Sequence, residues 1–142
     1  MRGMIVAPQP EAVEAGALAL KRGGNAIDAA ITCALTQGAV DPQMTGIAGS
    51  GSMQIYMPKR GVHLFIDFHA RSPGAVRPEM WQDIIVGQAR DGFGFLLKNH
   101  VNEVGYQAIG IPGSLKAYCE ALAEFGTMDL KDALLPDRKS VV

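Results

Sequence analysis

The chain has 142 residues, 48% of them hydrophobic, and a formal net charge of -1 from 13 basic and 14 acidic residues. That is enough length and apolar content for one domain with a core. The even charge balance argues against a nucleic-acid partner, which needs a basic face to displace counterions. No stretch reaches the roughly 20 apolar residues that cross a bilayer.

The first eleven residues carry no long apolar segment and no small-residue cleavage site, so this reading frame shows no signal peptide and a cytoplasmic location is expected. Met4 to Ala7 reads as a short buried strand that Pro8 and Pro10 break. Pro10 suits the first turn of a helix, where its missing N–H costs little. Glu11 and Glu14 lie near the positive end of that helix, Lys21 and Arg22 near its negative end, and Gly23 fits a left-handed cap. Val13, Ala17 and Leu20 recur at helical spacing and are expected to form its apolar face.

Asn25 is placed to cap a second helix, with Asp28 three residues on as its capping-box partner. Ile27, Ala30, Ile31, Ala34 and Leu35 make the main face. Ala26, Ala29 and Cys33 occupy the other sides, so most of this helix is expected to be covered. Gly38 and Asp41-Pro42 should end it. Cys33 and Cys119 both fall in apolar helical stretches and read as reduced, buried thiols.

Met53, Ile55 and Met57 alternate through one strand, and Val62, Leu64, Ile66 and Phe68 through the next, around the turn Pro58 to Gly61. This is the clearest hairpin in the sequence. Pro78 and Glu79 then open a short helix with Met80 and Trp81. Residues 88 to 105 have no convincing period and are expected to be loop, with at most one strand. Ala108 to Ile111 reads as a strand before Pro112-Gly113. A helix with Leu115, Tyr118, Cys119 and Leu122 on one face runs to Gly126, and a last helix starts near Thr127 to Asp129 and runs towards Leu135. The class is α+β. A hairpin alone is a marginal sheet, so further strands are expected from elsewhere.

Residues 137–142, Asp-Arg-Lys-Ser-Val-Val, coincide with one translated frame of a common DNA-sequencing adapter. The expected organisation is therefore one native segment, 1–136, and a non-native tail, 137–142. A genuine polar tail is the alternative.

Few residues offer chemistry. The loop Thr45 to Ser52 is glycine-rich, but it lacks the Gly-Lys-Ser/Thr of a P-loop and precedes a strand, where a dinucleotide fingerprint would follow one. Its glycines read as packing residues. Three widely spaced histidines and no Cys-x-x-Cys give no metal signature. His63 reads as a partly exposed hairpin histidine, and His100 lies in the loop without a nameable partner. Ser50 sits outside any nucleophile elbow. No cofactor is expected.

The run Ile5 to Met53 resembles the start of the gamma-glutamyltransferase large subunit. Gly-Gly-Asn-Ala-Ile-Asp-Ala-Ala (Gly23 to Ala30) is the most specific piece. Met57-Pro58-Lys59, Ala108 to Gly113 and Phe125-Gly126-Thr127 also resemble family turns, so the likeness covers most of Ile5 to Pro136. It implies a share of the four-layer αββα sandwich of N-terminal nucleophile hydrolases. Such a precursor cleaves itself into two subunits and exposes a threonine, whose own α-amine can serve as base for its hydroxyl. That threonine takes the acyl group of a gamma-glutamyl amide, and backbone N–H groups meet the oxyanion. None of Thr32, Thr36, Thr45 or Thr127 matches it, so no catalytic residue is expected in this chain.

The family also carries an arginine in a pattern Arg-Glu-x-Ala-Pro, whose planar fork grips the substrate carboxylate. Aligned on Pro73, that arginine falls on His69, the glutamate on Ala70, and Arg71 takes the variable position. Arg71 or His69 is therefore the expected substrate-binding residue, against the alternative of a solvated Arg and a capping His. The implied partners are a gamma-glutamyl or other amide substrate, the remainder of the large subunit, and the small subunit. Two other readings stay open: an amidohydrolase or acylase of the same fold acting on a non-glutamyl amide, and a non-catalytic half-domain that binds a partner.

Overall fold

The computed structural model describes residues 3–140, with side chains described as far as Leu135. Two compact units emerge: Ala70–Ile111 forms one, and the remaining described residues the other.

The larger unit opens with an extended segment. Met4 and Val6 are 88% and 84% exposed, and no strand partners them among the described residues, so the expected buried strand is absent. Helix α1 (Pro10–Lys21) starts at the proline as expected and ends at Arg22, with Gly23 at φ +95°. Its buried face differs from the expected one. Ala12, Ala15, Gly16 and Ala19 are buried, whereas Leu18 is exposed and Val13, Ala17 and Leu20 are only partly covered. The reason is the close approach of α2 (Ala26–Val40): a Cβ at Gly16 would lie 2.9 Å from the Ala29 carbonyl oxygen and 3.2 Å from Cys33 Cβ. Small side chains let the two backbones meet, so size outranks hydrophobicity there.

Helix α2 has the capping box its sequence announces. Asn25 Oδ1 accepts from the Ile27 and Asp28 N–H groups at 2.7 and 3.2 Å, and Asp28 Oδ2 accepts from the Asn25 N–H at 2.6 Å. Nine of its residues are buried, Asp28, Thr32, Thr36 and Gln37 among them, although Ala30 is exposed. The helix passes through Gly38 and stops at Asp41, so the Asp41-Pro42 step, not the glycine, sets its end.

Strands β1 (Ser52–Met57) and β2 (Val62–Asp67) form the expected antiparallel hairpin, pairing Ile55 with Leu64 and Tyr56 with His63. Gly61 supplies the φ of +65° that closes the turn. Helices α3 (Ser114–Phe125) and α4 (Leu130–Ser140) follow. Ile31 and Ile55, at 0% and 1% exposure, centre a core with Ile27, Leu35, Leu122, Phe125 and Ala133. Each such fully buried side chain is worth about 1.5–3 kcal/mol. On α3 the buried set is Ser114, Ala117, Ala121, Leu122 and Phe125; Leu115 turns outward, and Tyr118 and Cys119 are half-buried. Helices thus cover one face of the hairpin. Its other face, with Gln54, Tyr56, His63 and Phe65, is exposed. The chain is a mixed α and β segment with the helix and sheet layers of one side, and the full four-layer sandwich is not present in it.

Helix α4 runs five residues past the expected Leu135. Its last turn includes the backbone of residues 137–140, the first four of the suspected tail, and residues 141–142 lie outside the described residues.

In the smaller unit, Pro78 to Trp81 makes turns and one 3-10 turn follows at Gln82–Ile84, in place of the expected short helix. Strands β3 (Ile85–Gln88) and β4 (Phe95–Leu97) pair antiparallel, with an irregularity between Ile85 and Gly87. Tyr106–Ala108 forms a 3-10 turn, and the expected strand at 108–111 reduces to a single bridge of Ile111 with Arg71.

Candidate functional site

Strand β2 leads directly to the first expected site residue. The His69 backbone N–H donates to Asp67 Oδ1 at 3.0 Å, and His69 Nδ1 lies 2.7 Å from the same oxygen. A carboxylate only accepts, so Nδ1 carries the proton and Nε2 points its lone pair or second proton elsewhere. Both side chains are about two-thirds exposed, at 68% and 67%. A single carboxylate beside this imidazole makes the position less attractive to a substrate carboxylate than a bare arginine would be.

Arg71 belongs to the smaller unit. Its N–H donates to the Ile111 carbonyl at 3.2 Å and its carbonyl accepts from the Ile111 N–H at 2.8 Å, which fixes its backbone. The side chain is exposed and borders a cavity of about 310 Å3 that Trp81, Asn102 and Gln107 also line. Trp81 Nε1 donates to Gln107 Oε1 at 2.6 Å. Asn102 Nδ2 donates to the Phe95 carbonyl at 3.0 Å, whereas no donor among the described residues reaches its buried Oδ1. Trp81, Asn102 and Gln107 escaped the sequence reading. The one available signal was that the chain has a single tryptophan.

The glycine-rich loop serves packing. Gly49 carbonyl accepts from the Gly113 and Ser114 N–H groups at 3.1 and 3.3 Å, and the Ile47 carbonyl accepts from Leu115 N–H at 3.3 Å. The first amides of α3 are therefore taken by protein carbonyls, which leaves them unable to cradle a phosphate. At Gly113 any Cβ would collide with the Phe68 carbonyl.

Three of the four threonines are engaged structurally, whereas Thr32 Oγ1 is buried with no hydrogen-bond partner among the described residues. Thr36 Oγ1 donates to the Thr32 carbonyl, Thr45 Oγ1 to the Asp41 carbonyl, and Thr127 Oγ1 to Asp28. Cys33 is buried, which pushes its thiol pKa up, and both cysteines are free. His63 meets Gln54 Nε2 at 3.0 Å and the Tyr56 ring edge-on, and His100 gains a partner in Glu103 at 3.3 Å. Among the described residues no three His, Cys, Asp or Glu side chains gather into a metal-binding group, and no helix is long and apolar enough to cross a membrane.

The chain is 40% identical over 137 residues to the acylase ACY 1 proenzyme of Pseudomonas sp. (strain SE83), an alignment spanning 95% of this chain and 24% of that protein. It is 36% identical to the glutathione hydrolase proenzyme of Bacillus subtilis (strain 168), over 96% of this chain and 22% of that protein. The chain thus spans about a quarter of the length of these curated relatives. Among solved structures, the gamma-glutamyltranspeptidase from Pseudomonas nitroreducens complexed with L-DON matches with a TM-score of 0.77 and 30% identity, covering 95% of this chain and 37% of that one. The Helicobacter pylori gamma-glutamyltranspeptidase matches with a TM-score of 0.79 and 28% identity, covering 96% and 36%. The family model described as gamma-glutamyltranspeptidase matches residues 12–141, and the chain belongs to that family.

Proposed function

We propose that this chain is the N-terminal part of a proenzyme that hydrolyses gamma-glutamyl amides or transfers their acyl group, with a threonine nucleophile supplied by sequence outside these residues. The observation that carries the reading is the match over 95% of the chain to a gamma-glutamyltranspeptidase fold, with β2 running out into the exposed His69 and on to Arg71. In this reading a threonine exposed by self-cleavage attacks the amide carbonyl while its own α-amine takes the hydroxyl proton and passes it to the substrate nitrogen, which leaves as the free amine. Water or an acceptor amine then takes the acyl group from the threonine ester. Backbone N–H donors stabilise the oxyanion. The rest of the large subunit and the small subunit are the partners, and this chain contributes scaffold and substrate contacts. Alone it is inactive.

A second reading has its own support. His69 stands where the family pattern has its carboxylate-gripping arginine, and Asp67 holds its ring. Together with the 40% identity to an acylase proenzyme, this favours an amide whose acyl group is not gamma-glutamyl. Assay of the complete enzyme on gamma-glutamyl anilide and on an anilide of a simple dicarboxylic acid separates the two. Turnover of the first supports gamma-glutamyl transfer; turnover of the second alone supports the acylase; turnover of neither defeats both.

A further inference from the structure

We propose that the loop from Gln43 to Ser50 and the first turn of α3 form a binding site for a small carboxylate, held by neutral N–H and O–H donors. The site lies wholly within the larger unit and does not depend on which amide the complete enzyme takes. Its cavity is about 510 Å3, and Gln43, Thr45, Gly49, Ser50, Ser114 and Tyr118 line it. That falls inside the roughly 300–1,000 Å3 of small-molecule sites. No Asp, Glu, Lys, Arg or His borders it.

Ser114 is the decisive residue. It opens α3 and is only 2% exposed. Its N–H is taken by the Gly49 carbonyl at 3.3 Å, yet its hydroxyl has no partner among the described residues. That oxygen is not sealed in. The buried side-chain atoms with neither a partner nor accessible surface are Thr32 Oγ1, Gln37 Oε1 and Asn102 Oδ1, and Ser114 Oγ is not among them. It stands on the cavity wall beside Gly49, where a Cβ would lie 3.4 Å from it. A hydroxyl almost wholly withdrawn from solvent and left unpaired is stabilised by a ligand oxygen that accepts from it.

The surroundings supply further donors and no competing charge. The Ile47 and Gly49 carbonyls are taken up by α3, whereas the N–H groups of Gly46 through Ser50 donate to no oxygen among the described residues. Tyr118 sets its ring edge-on to Phe68, with centroids 5.9 Å apart, and its hydroxyl is likewise unpaired among the described residues. No side chain caps α3, so the positive end of its dipole meets this loop without a carboxylate against it. These features select an anion, because a carboxylate accepts from several donors at once and does here what a capping Asp would do. They also limit its charge. With no Lys or Arg on the wall, a phosphate dianion would lose water without meeting a countercharge, whereas a monoanion is matched by neutral donors and a helix end.

The probe is acetate, titrated into the isotope-labelled 142-residue chain at constant pH and ionic strength while the amide resonances are followed by NMR. Acetamide, its neutral isostere, and inorganic phosphate are the other arms. Saturable shifts are expected in the N–H signals of Gly46 to Ser50 and of Ser114, with acetate at least about five-fold tighter than either alternative. Ser114→Ala should weaken acetate about five-fold, as the loss of one hydrogen bond does. No saturable shift at these amides overturns the proposal, and so does equal affinity for acetate and acetamide. Phosphate binding more tightly than acetate overturns it too, because the site would then not be one for a monoanion. The comparison of acetate with acetamide uses the unaltered chain, so it decides even if Ser114→Ala does not fold.

Discussion

Asp28 Oδ2 accepts the Thr127 hydroxyl at 2.7 Å across a separation of 99 residues, and the Thr127 and Met128 N–H groups add bonds to Oδ1 at 2.9 and 3.0 Å. The same carboxylate closes the α2 capping box, and Asn25 Nδ2 reaches the Phe125 carbonyl at 2.7 Å. The two family-like pieces Gly23–Ala30 and Phe125–Thr127 are therefore one clamp that fixes the α3–α4 link to the start of α2. Breaking it should be costly, since Asp28 is fully buried and its removal leaves several N–H donors without a partner. Asp28→Ala is expected to lose about 3 kcal/mol in urea unfolding. A loss under about 1 kcal/mol would mean water replaces the clamp at little cost.

The clamp also sets a pH dependence. Burial alone would raise the Asp28 pKa, but the bonds from the Thr127 hydroxyl and from the Asn25, Thr127 and Met128 N–H groups outweigh it and hold the pKa below its ordinary 3.8. A folded-state value lower than the unfolded one means the stabilisation is present above about pH 4 and is lost as pH falls through the folded value. The stability difference between the natural chain and Asp28→Asn should therefore shrink steadily below pH 4. A constant difference from pH 6 to pH 2.5 would contradict the clamp.

Gly16 and Gly126 should resist enlargement for the same geometric reason. A Cβ at Gly16 would stand 2.9 Å from the Ala29 carbonyl oxygen, and one at Gly126 would stand 2.6 Å from the Leu122 carbonyl oxygen and 2.7 Å from Asp28 Oδ1. Two of these neighbours are backbone carbonyls and the third is the hydrogen-bonded Asp28 carboxylate, so the helices or the clamp must shift. Gly16→Val and Gly126→Ala are each expected to cost about 1–3 kcal/mol, read as a lower unfolding midpoint. Gly61→Asn, by contrast, should be nearly neutral, because its φ of +65° suits Asn and nothing crowds it.

What the sequence disclosed followed the range of the interaction. The Asn25–Asp28 capping box is local, three residues apart, and the β1–β2 alternation is periodic; both are readable without knowing the rest of the chain. The small face of α1 was hidden, because Ala12, Ala15, Gly16 and Ala19 gain their role only from the nearness of α2. Strand β3 was hidden too, and β4 could be anticipated only as one unplaced strand within 88–105, since four and three residues around a register shift give no period to detect. His69 and Arg71 were named as candidates by likeness to a family pattern, not by anything local in the sequence. Trp81, Asn102 and Gln107 converge through turns with no sequence signature, so only coordinates could group them.

On the complete enzyme, His69→Arg restores the guanidinium of the family pattern. If the substrate is a gamma-glutamyl amide, KM for gamma-glutamyl anilide should fall about ten-fold with kcat little changed, as a new ground-state contact would do. Arg71→Ala should raise KM by a similar factor if Arg71 supplies the grip. Should His69→Arg abolish turnover of a non-glutamyl anilide and leave gamma-glutamyl anilide untouched, the acylase reading gains and the gamma-glutamyl one fails.

The hairpin's outer face makes the last prediction. Tyr56 and Phe65 are 68% and 63% exposed, on the side of β1 and β2 that no helix covers. Both lie on a hairpin that pairs with no third strand among the described residues, the kind of surface that recruits another sheet or another copy. The 142-residue chain should therefore self-associate as its concentration rises. Replacing both aromatics by serine should weaken that association about ten-fold, read by sedimentation velocity. Because neither side chain contributes to the buried core, the unfolding free energy of the monomer should change by less than about 1 kcal/mol. Equal self-association of the natural chain and the double variant would place the sticky surface elsewhere, with the exposed Phe93 and Tyr106 of the smaller unit, both at 95%, as the next residues to replace.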